Sequence, residues 1–253
     1  MHTGLSGKKV IVTGGGSGIG RAAAKMFAVE GAAVLIADIN AEMAQEAVEE
    51  IRSTGATAES VIGDLSDPEI VANVVDTASE RLGGVDVLVN NAGIMDDMSA
   101  TADVSDESWE RLVRINLTAP FLLTRAVLPH MKERGTGSIV FTASEASLRG
   151  SASGTAYTVS KHGIVGLVKS TAIMYRDQGI RVNAVTPGGT STNISVGRPT
   201  APDGPTVLGA YAHNMGRIAQ PEELASAIVF LASDAASNIS GAILPVDNGW
   251  SAV

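Results

Sequence analysis

The chain has 253 residues, of which 45% are hydrophobic and 18% charged, and its formal net charge is -9. This length and composition predict one packed globular domain with a sizeable core. The negative charge is spread along the sequence and would repel a nucleic-acid backbone. No uncharged apolar run reaches the roughly 18 residues that cross a bilayer, and residues 1–7 lack the apolar region of a signal peptide. We therefore predict a cytoplasmic protein whose partners include neither nucleic acid nor a membrane.

The chain contains no cysteine and four histidines. The absence of cysteine excludes disulfides, thiolate nucleophiles and cysteine-based zinc sites. The histidines lack the spacing of metal ligands, and we predict ordinary surface or packing roles for all four: His2, His130, His162 and His213. No metal site is expected.

Short segments rich in β-branched residues alternate with longer amphipathic segments along the chain. The predicted strands are 8–13, 33–37, a strand around 61–62, 85–89, 137–142, 181–185 and 242–246. The predicted helices are 17–30, 41–53, one beginning at 67–68, then 106–134, 155–178 and 221–233. This alternation is typical of βαβ units. It predicts an α/β fold with a single doubly wound parallel sheet of about seven strands, of Rossmann type, with helices on both faces.

Residues 187–216 interrupt this alternation. The segment is rich in Gly, Pro, Ser and Thr, shows little periodicity, and follows the carboxyl end of a predicted strand. Open α/β sheets bind their ligands at that end, and long loops in compact domains are usually functional or disordered. We predict a substrate-binding lid within one domain covering 1–253.

A glycine-rich turn connects the first predicted strand to the first predicted helix. It contains Gly14, Ser17, Gly18, Ile19 and Gly20. Glycines at such a turn let the backbone approach a pyrophosphate, and the helix N-terminus supplies amide donors. The alternative is a tight turn without a ligand, because glycine spacing alone is weak evidence.

Asp38 ends the second predicted strand, 18 residues after Gly20. A carboxylate here accepts hydrogen bonds from the adenosine ribose and repels a 2′-phosphate. Ile39 follows it, and the glycine turn contains neither Arg nor Lys. These features favour NAD over NADP, although an exposed loop aspartate is the simpler alternative.

Tyr157 and Lys161 are four residues apart on a predicted helix, so their side chains share one face. A free phenol has a pKa of about 10, and a nearby cation would lower it towards the range of a general base. In an arbitrary helix the same pair would be a packed ring and a solvated charge.

Several motifs in this order resemble the short-chain dehydrogenase/reductase family over nearly the whole chain. They are Thr13-Gly14 with Gly18 and Gly20, Asp64-Leu65, Asn90-Asn91-Ala92-Gly93, Asn116, Ser144, Tyr157 with Lys161, and Pro187-Gly188 with Thr192. Two departures from the family pattern are Thr142-Ala143 ahead of Ser144, where Asn and Ser are common, and Asp247-Asn248-Gly249 for Asp-Gly-Gly.

The resemblance implies a catalytic set of Asn116, Ser144, Tyr157 and Lys161. Tyr157 would transfer the proton, Ser144 would hold the reacting oxygen, and Lys161 would activate Tyr157 and bind the nicotinamide ribose. Asn116 would distort its helix and position a water molecule behind Lys161.

The implied cofactor contacts extend along the chain. They are Gly14, Ser17, Gly18, Ile19, Gly20, Asp38, Ile39, Asp64, Leu65, Asn91, Ala92, Gly93, Tyr157, Lys161, Pro187, Gly188, Thr190 and Thr192. Asp96 and Asp97 are predicted to be solvent-facing and receive no role.

We therefore predict an NAD-dependent oxidoreductase that interconverts a secondary alcohol and a ketone. The alternatives are a 3-oxoacyl thioester reductase and a non-catalytic nicotinamide-binding regulator. The resemblance also implies a homo-oligomer, a tetramer or a dimer, formed through the helices near 106–134 and 155–178. Few charges in the lid suggest an apolar pocket. Arg149 could meet an acidic substrate, although a surface charge is the simpler interpretation.

Overall fold

The computed structural model describes residues 3–199 and 201–253, so His2 lies outside the described residues. Seven strands form one sheet in the order β3-β2-β1-β4-β5-β6-β7, and every neighbouring pair is parallel. The strands are β1 Lys9–Thr13, β2 Ala33–Asp38, β3 Ala58–Ile62, β4 Val87–Asn90, β5 Gly137–Thr142, β6 Ile180–Pro187 and β7 Ile243–Val246. The predicted fold class is confirmed.

The described helices are α1 Gly18–Val29, α2 Ala41–Ser53, α3 Pro68–Thr77, α4 Asp106–Val113, α5 Ala119–Arg134, α6 Thr155–Tyr175, α7 Asp203–Gly209 and α8 Pro221–Ala232. The ends of α1, α2, α6 and α8 lie close to the predicted ones. Helix α3 begins at Pro68, as predicted, and the Asp67 carboxylate accepts a hydrogen bond from the Glu69 amide. This cap satisfies one of the amides that a helix N-terminus leaves unpaired.

Two predicted segments differ from the structure. The helix predicted over 106–134 is interrupted by a π-helical turn, Arg114–Thr118, which separates α4 from α5. The segment predicted to be irregular contains α7 and a 3-10 turn, Ala212–Met215, although residue 200 within it lies outside the described residues. Short helices of this kind carry too little apolar periodicity to be recognised in a sequence rich in Gly and Pro.

Successive residues of a strand are buried alternately in two cores, one on each face of the sheet. Val10 and Val12 of β1 belong to the core beneath α1, α2 and α8, whereas Ile11 belongs to the core beneath α3, α5 and α6. Side chains in a strand alternate between faces, so a strand covered on both sides is apolar throughout. This arrangement explains why the central strands read as continuous apolar runs.

The strand order reverses at β1, which lies between β2 and β4. The connections leaving β1 and β4 therefore run to opposite faces of the sheet, and a crevice opens at the carboxyl ends of these two strands. The glycine turn follows β1 and the segment Asn91–Gly93 follows β4. The fold thus brings both predicted motifs to the same crevice.

The packing of α1 can be tested at Phe27, whose side chain is fully buried in the core beneath α1. We expect Phe27→Ala to lower the free energy of unfolding by about 3–5 kcal/mol, because the truncation removes apolar contacts and leaves a cavity. Val29→Ala on the same helix is the control, since Val29 is 80% exposed and its loss should change stability by no more than about 0.5 kcal/mol. Urea unfolding measures both values, and equal effects would contradict the described packing.

Candidate active site

The glycine turn between β1 and α1 is shaped so that side chains cannot fill it. Gly14 has a φ of +63°, and a Cβ on Gly20 would lie 2.1 Å from the Gly14 carbonyl oxygen. Ser17 precedes α1 without capping it through its side chain, and Gly18 and Ile19 open the helix. The amides of this first turn are therefore available to an anion, as a pyrophosphate site requires.

Asn91 ties the glycine turn to the neighbouring strands. Its side-chain amide donates to the carbonyls of Thr13 (3.0 Å) and Gly14 (3.4 Å), and its Oδ1 accepts from the Thr142 hydroxyl at 3.1 Å. The Thr13 hydroxyl in turn accepts from the amides of Asn91 and Ala92. The site predictions omitted Thr13 and Thr142, although Thr13 stands in the quoted glycine motif.

Asp38 lies at the edge of the same turn. Its carboxylate accepts hydrogen bonds from the amides of Gly16 (2.8 Å) and Asn40 (2.9 Å), while Ile39 is 73% exposed. A carboxylate has further lone pairs available, so these bonds leave capacity for ribose hydroxyls.

Arg21 also comes close to this edge, which the sequence did not indicate. Its guanidinium lies 3.5 Å from the Gly16 carbonyl oxygen, and it pairs with Glu46 at 3.3 Å and Glu50 at 3.0 Å. The hydrogen bond with Glu50 is the main reason why the pKa of Arg21 is raised. Arg21 is thus already paired with two carboxylates, one of which, Glu50, also pairs with Lys25 at 3.3 Å.

Asp64 and Leu65 follow β3. The Asp64 carboxylate accepts from the amide and the hydroxyl of Ser66 and lies 3.6 Å from the Arg114 guanidinium. The Ser66 amide is the largest cause of the lowered pKa of Asp64. Leu65 packs against the core beneath α3, α5 and α6.

The segment after β6 closes back towards the glycine turn. Pro187 ends β6, the Gly188 amide donates to the Val246 carbonyl, and the Thr190 hydroxyl donates to the Gly188 carbonyl. A Cβ on Gly18 would lie 3.1 Å from the Cβ of Thr192. The start of the predicted lid is therefore packed against the start of α1.

Tyr157 and Lys161 are both buried on one face of α6. The Lys161 ammonium donates to the Thr142 carbonyl at 2.9 Å and lies 5.5 Å from the centre of the Tyr157 ring. Burial lowers the pKa of Lys161 to about 8. Both groups are thus shielded from solvent, and Lys161 contacts the end of β5.

The expected lowering of the Tyr157 pKa is not found in the protein alone. Burial raises the pKa of Tyr157 to about 12, a hydrogen bond with Ser144 lowers it, and the charge of Asp96 raises it further. Desolvation disfavours the phenolate more strongly than the neighbouring groups favour it. A phenolate here therefore needs additional positive charge.

Asn116 lies in the π turn and is fully buried. Its side-chain oxygen accepts from the Ile94 amide, and its side-chain nitrogen donates to the Ile94 carbonyl, both at 2.9 Å. Pro120 has no amide hydrogen for the carbonyl four residues earlier, which is that of Asn116, so the α-helical pattern cannot continue at this point. The helix distortion implied for Asn116 is thus present.

Gly93 separates Asn116 from Lys161. A Cβ on Gly93 would lie 3.2 Å from the Asn116 side-chain oxygen and 3.4 Å from the Lys161 nitrogen. Asn116 also donates to the Ser160 hydroxyl at 3.3 Å, and Ser160 was absent from the site predictions. The fold therefore brings Asn116, Lys161 and Gly93 together.

Ser144 follows β5 and begins a 3-10 turn, Glu145–Ser147. Its hydroxyl oxygen accepts from the Ala146 amide at 3.1 Å, which fixes its side chain at the end of the strand. Ser144 also lowers the pKa of Tyr157, against the larger effect of burial, so the two hydroxyls lie near each other.

Arg149 is tied to the protein instead of facing the crevice freely. It pairs with the buried Glu145 and donates to the backbone carbonyl of Val253. Burial is the first cause, and a hydrogen bond with Asp247 the second, of a Glu145 pKa raised to about 7. Asp247, at the second departure from the family pattern, accepts from the amides of Gly249 and Ser251.

The prediction that Asp96 faces solvent is wrong. Its side chain is only 5% exposed, and its carboxylate accepts from the amides of Met98, Gly154 and Tyr157 and from the Ser153 hydroxyl. Two adjacent aspartates in a predicted loop are normally exposed. Asp96 is buried because the loop packs on α6, and the sequence does not show this contact. The Asp97 carboxylate accepts from the Ser99 amide.

Apolar side chains surround Tyr157. A small buried cluster contains Tyr157, Leu112, Ala146 and Ala156, and partly buried residues pack against it: Ile94, Met95, Val104 and Ala152. In residues 3–199 and 201–253, no group of three acidic, histidine or cysteine side chains could hold a metal ion. No helix in that part of the chain is long and apolar enough to span a membrane.

A family model described as enoyl-(acyl carrier protein) reductase matches residues 14–251. The curated relative "3beta-hydroxysteroid dehydrogenase 2" of Eggerthella lenta is 41% identical over 251 residues, which cover 98% of this chain and 96% of the relative. The match thus includes the glycine turn, the crevice and the lid.

Two solved structures are similar over almost their whole length. One is described as an NAD(P)-dependent gluconate 5-dehydrogenase from Beutenbergia cavernae with NADP at low occupancy, with a TM-score of 0.86, 40% identity and 98% of each chain covered. The other is 3-ketoacyl-(acyl-carrier-protein) reductase from Brucella melitensis complexed with NADH, with a TM-score of 0.87, 34% identity, and 98% of this chain and 99% of that chain covered. The extent of these matches, together with the crevice described above, leads to one assignment: the chain belongs to the short-chain dehydrogenase/reductase family.

Proposed function

We propose that this protein is an NAD(H)-dependent oxidoreductase that interconverts a secondary alcohol and a ketone, with Tyr157 as the proton-transferring residue. The observation that carries the proposal is the burial of Tyr157 and Lys161 side by side at the crevice that holds the glycine turn. The names of the similar proteins, a hydroxysteroid dehydrogenase, a gluconate 5-dehydrogenase and a ketoacyl reductase, support the reaction class.

The cradle formed by Gly14, Gly18 and Gly20, with Asp38 at its edge, fits a dinucleotide, and the nicotinamide would supply or accept the hydride. Ser144 would hold the reacting oxygen by a hydrogen bond. Tyr157 would accept the alcohol proton during oxidation, or donate its own during reduction. The ammonium of Lys161, oriented by the Thr142 carbonyl, would stabilise the phenolate. Asn116 would keep the first residues after β4 close to Lys161.

Further predicted cofactor contacts fit the same proposal. Ala92, Gly93, Pro187 and Gly188 line the crevice with backbone groups and small side chains, while Thr190 and Thr192 would hold the phosphate end from the lid. The lid itself, residues 187–216, is proposed to cover the substrate. Its contact with Gly18 through Thr192 supports this role.

We propose NAD as the preferred cofactor, because Asp38 lies at the turn and the nearby Arg21 is already paired with Glu46 and Glu50. A 2′-phosphate here would meet a carboxylate, and the adjacent guanidinium is not free to compensate it. The solved relatives hold NADP or NADH, so the choice rests on these local charges.

Asp38→Asn tests this preference, because the change removes the charge and keeps one acceptor oxygen. We expect the ratio of the Kd for NADPH to the Kd for NADH to fall by about tenfold or more, a change of about 1.4 kcal/mol per factor of ten. Fluorescence titration with both reduced cofactors measures it. Asp76→Asn, an exposed position on α3, is the control with the same loss of charge. Tighter binding of NADPH than NADH by the unsubstituted protein would refute the proposed preference.

Tyr157→Phe tests the proton transfer, because it removes only the hydroxyl group. We expect kcat to fall by about 10²–10⁴, the usual contribution of a general acid or base, while the Kd for NADH stays within about twofold. Turnover with a panel of secondary alcohols and NADH titration give the two values. Tyr175→Phe, near the end of the same helix, is the matched control. Turnover unaffected by Tyr157→Phe would contradict the assignment.

Two alternatives remain as distinct hypotheses. The first alternative is a 3-oxoacyl thioester reductase. Such enzymes usually prefer NADPH, but a similar ketoacyl reductase is described in complex with NADH, so a preference for NADH does not exclude this activity. NADH-linked reduction of an acetoacetyl thioester faster than that of cyclic ketones would support it. Binding of NADH without turnover of any panel compound would instead indicate a nicotinamide-binding regulator.

We infer that the site favours an uncharged substrate, because Arg149, near Ser144, is already engaged by Glu145 and by the Val253 carbonyl. A substrate carboxylate would have to displace these two partners, although Glu145, with a pKa raised to about 7, carries only part of its charge at neutral pH. The apolar cluster around Tyr157 supports the same conclusion. Steroid, sugar, cyclic alcohol and acyl substrates all fit this description.

We also propose a homo-oligomer that forms through α5 and α6. Between these helices lies a groove of about 570 Å³, lined by residues that include Phe121, Arg125, Leu128, Leu167 and Met174. Phe121 is 43% exposed and Met174 68%, so large apolar side chains face solvent on both helices. A second copy of the chain would cover them. The cytoplasmic location inferred from the sequence stays a prediction.

Phe121→Glu tests the assembly, because a carboxylate buried at the interface would pay a desolvation cost of several kcal/mol. We expect the unsubstituted protein to be a tetramer or dimer by light scattering, and the variant to dissociate at micromolar concentration. Val29→Glu is the control, since Val29 is also exposed, at 80%, but lies on α1. A monomeric unsubstituted protein, or a variant that stays assembled, would overturn this proposal.

A further inference from the structure

Asp96 is a buried carboxylate at the first turn of the helix that carries Tyr157. Its Oδ1 accepts from the Met98 amide (3.1 Å), the Ser153 hydroxyl (3.0 Å) and the Gly154 amide (3.3 Å), and its Oδ2 accepts from the Tyr157 amide (3.1 Å). Four hydrogen bonds to a side chain that is 5% exposed hold it in one position. Such an arrangement is costly to bury unless every bond is made.

Helix α6 has no cap of its own. Its N-cap residue is Gly154, which has no side chain that could accept a hydrogen bond from the first turn. Asp96 supplies the missing acceptor from a different part of the chain, and it bonds the amide of Tyr157 itself. A negative charge at a helix N-terminus is also favoured by the helix dipole.

The surrounding backbone is shaped to admit this carboxylate. A Cβ on Gly154 would lie 2.5 Å from the Asp96 Oδ2 and 2.8 Å from backbone atoms of Met98 and Ser99, so only glycine fits there. Met98 has a φ of +64°, an uncommon conformation for a residue with a side chain, and its amide is held by Asp96. The turn from 96 to 99 therefore depends on the same side chain as the helix.

The backbone of Asp96 also contacts the lid. Its carbonyl accepts from the Gly197 amide at 3.0 Å. Next to it, a Cβ on Gly204 of α7 would lie 2.0 Å from the Met98 carbonyl oxygen, so α7 packs directly on this turn. The turn at 96–99 thus lies between the lid and the catalytic helix and contacts both.

We propose that Asp96 is a positioning residue, which anchors the first turn of α6 so that the Tyr157 hydroxyl stays aligned with Ser144 and with the part of residues 187–216 that packs on the same turn. The inference rests on the proposed function, since alignment matters for the rate only if Tyr157 transfers the proton. Misplacing a reacting group by a fraction of an ångström is enough to slow a reaction considerably.

The charge of Asp96 should affect the pKa of Tyr157, which a purely structural contact would not do. Burial is the largest cause of the raised pKa of Tyr157. The Ser144 hydroxyl lowers this pKa, and the negative charge of Asp96 raises it. The ammonium of Lys161 faces the ring from the same helix. Replacing the carboxylate by an amide should therefore lower the pKa of Tyr157. The rate of alcohol oxidation would then begin to rise at a lower pH.

Asp96→Asn is the decisive variant, measured in the full-length protein with NAD and the best secondary alcohol of the panel. We expect kcat to fall by about tenfold, the Kd for NADH to stay within about twofold, and the rise of kcat with pH to move to lower pH. Ser153→Ala removes one hydrogen bond to Asp96 without changing the charge. It should lower kcat by about threefold and leave the pH profile in place. Asp103→Asn, in the same connection between β4 and α4, controls for the loss of one negative charge.

Amide hydrogen exchange provides a readout that does not require turnover. We expect the amides of residues 154–157 to exchange about tenfold faster in Asp96→Asn, with no change in the core strands. Faster exchange in a protein that turns over no substrate would refute the proposed function and leave the anchor in place. Unchanged exchange, kcat and pH profile in a folded Asp96→Asn protein would overturn the inference. If that variant does not fold, an unchanged kcat and unchanged exchange in Ser153→Ala would overturn it.

Discussion

The burial of a phenol and an ammonium side by side is the constraint on which the rest of the site depends. Tyr157 and Lys161 are 6% and 4% exposed, and desolvation shifts both pKa values towards the neutral forms, to about 12 and about 8. At neutral pH Tyr157 is therefore a neutral phenol, whereas Lys161 still mostly carries its positive charge. Any positive charge that enters the crevice beside the ring favours the phenolate. Burial thus makes the reactivity of Tyr157 depend on what occupies the crevice.

The fold supplies this environment from strands that are distant in sequence. The carbonyl of Thr142 at the end of β5 orients Lys161, and Asn116 joins the segment after β4 to the π turn between α4 and α5. Asn91 links β4 to the glycine turn and to β5. Each of these contacts uses the carboxyl end of a strand, where the parallel sheet exposes its last carbonyls and amides. One edge of the sheet therefore holds both the glycine turn and the side chains proposed to transfer the proton.

The sequence predicted most of this arrangement where local rules suffice. The helical spacing of Tyr157 and Lys161, the glycine turn after an apolar strand, and the Asp67-Pro68 helix start all express short-range geometry. The misses involve long-range packing. Asp96 looks exposed until the 96–99 turn is placed on α6, and the pairing of Arg21 with Glu46 and Glu50 appears only when α2 is placed beside α1. The role of the Thr142 carbonyl is invisible in a sequence because every residue has one.

The π turn between α4 and α5 could be predicted from the sequence only in part. The apolar pattern of 106–134 continues through it, so periodicity alone predicts one helix. Pro120, four residues after Asn116, is the signal that a regular hydrogen bond is missing there. Such a signal is more informative when the residue whose carbonyl lacks its usual partner also has a buried polar side chain, as Asn116 does. A buried asparagine four residues before a proline is therefore a better marker of this turn than either residue alone.

The charges at the two ends of the crevice are organised differently, and this difference bears on selectivity. At the adenosine end, Arg21 is held by Glu46 and Glu50, which leaves the Asp38 carboxylate as the group nearest the turn. At the substrate end, Arg149 is held by Glu145 and the Val253 carbonyl, which leaves an apolar surface around Tyr157. In both places an arginine that could bind an anion is already engaged by other groups of the same chain. The two proposed preferences, for a cofactor ribose without a phosphate and for an uncharged substrate, would thus share one physical basis, a cation already paired within the fold.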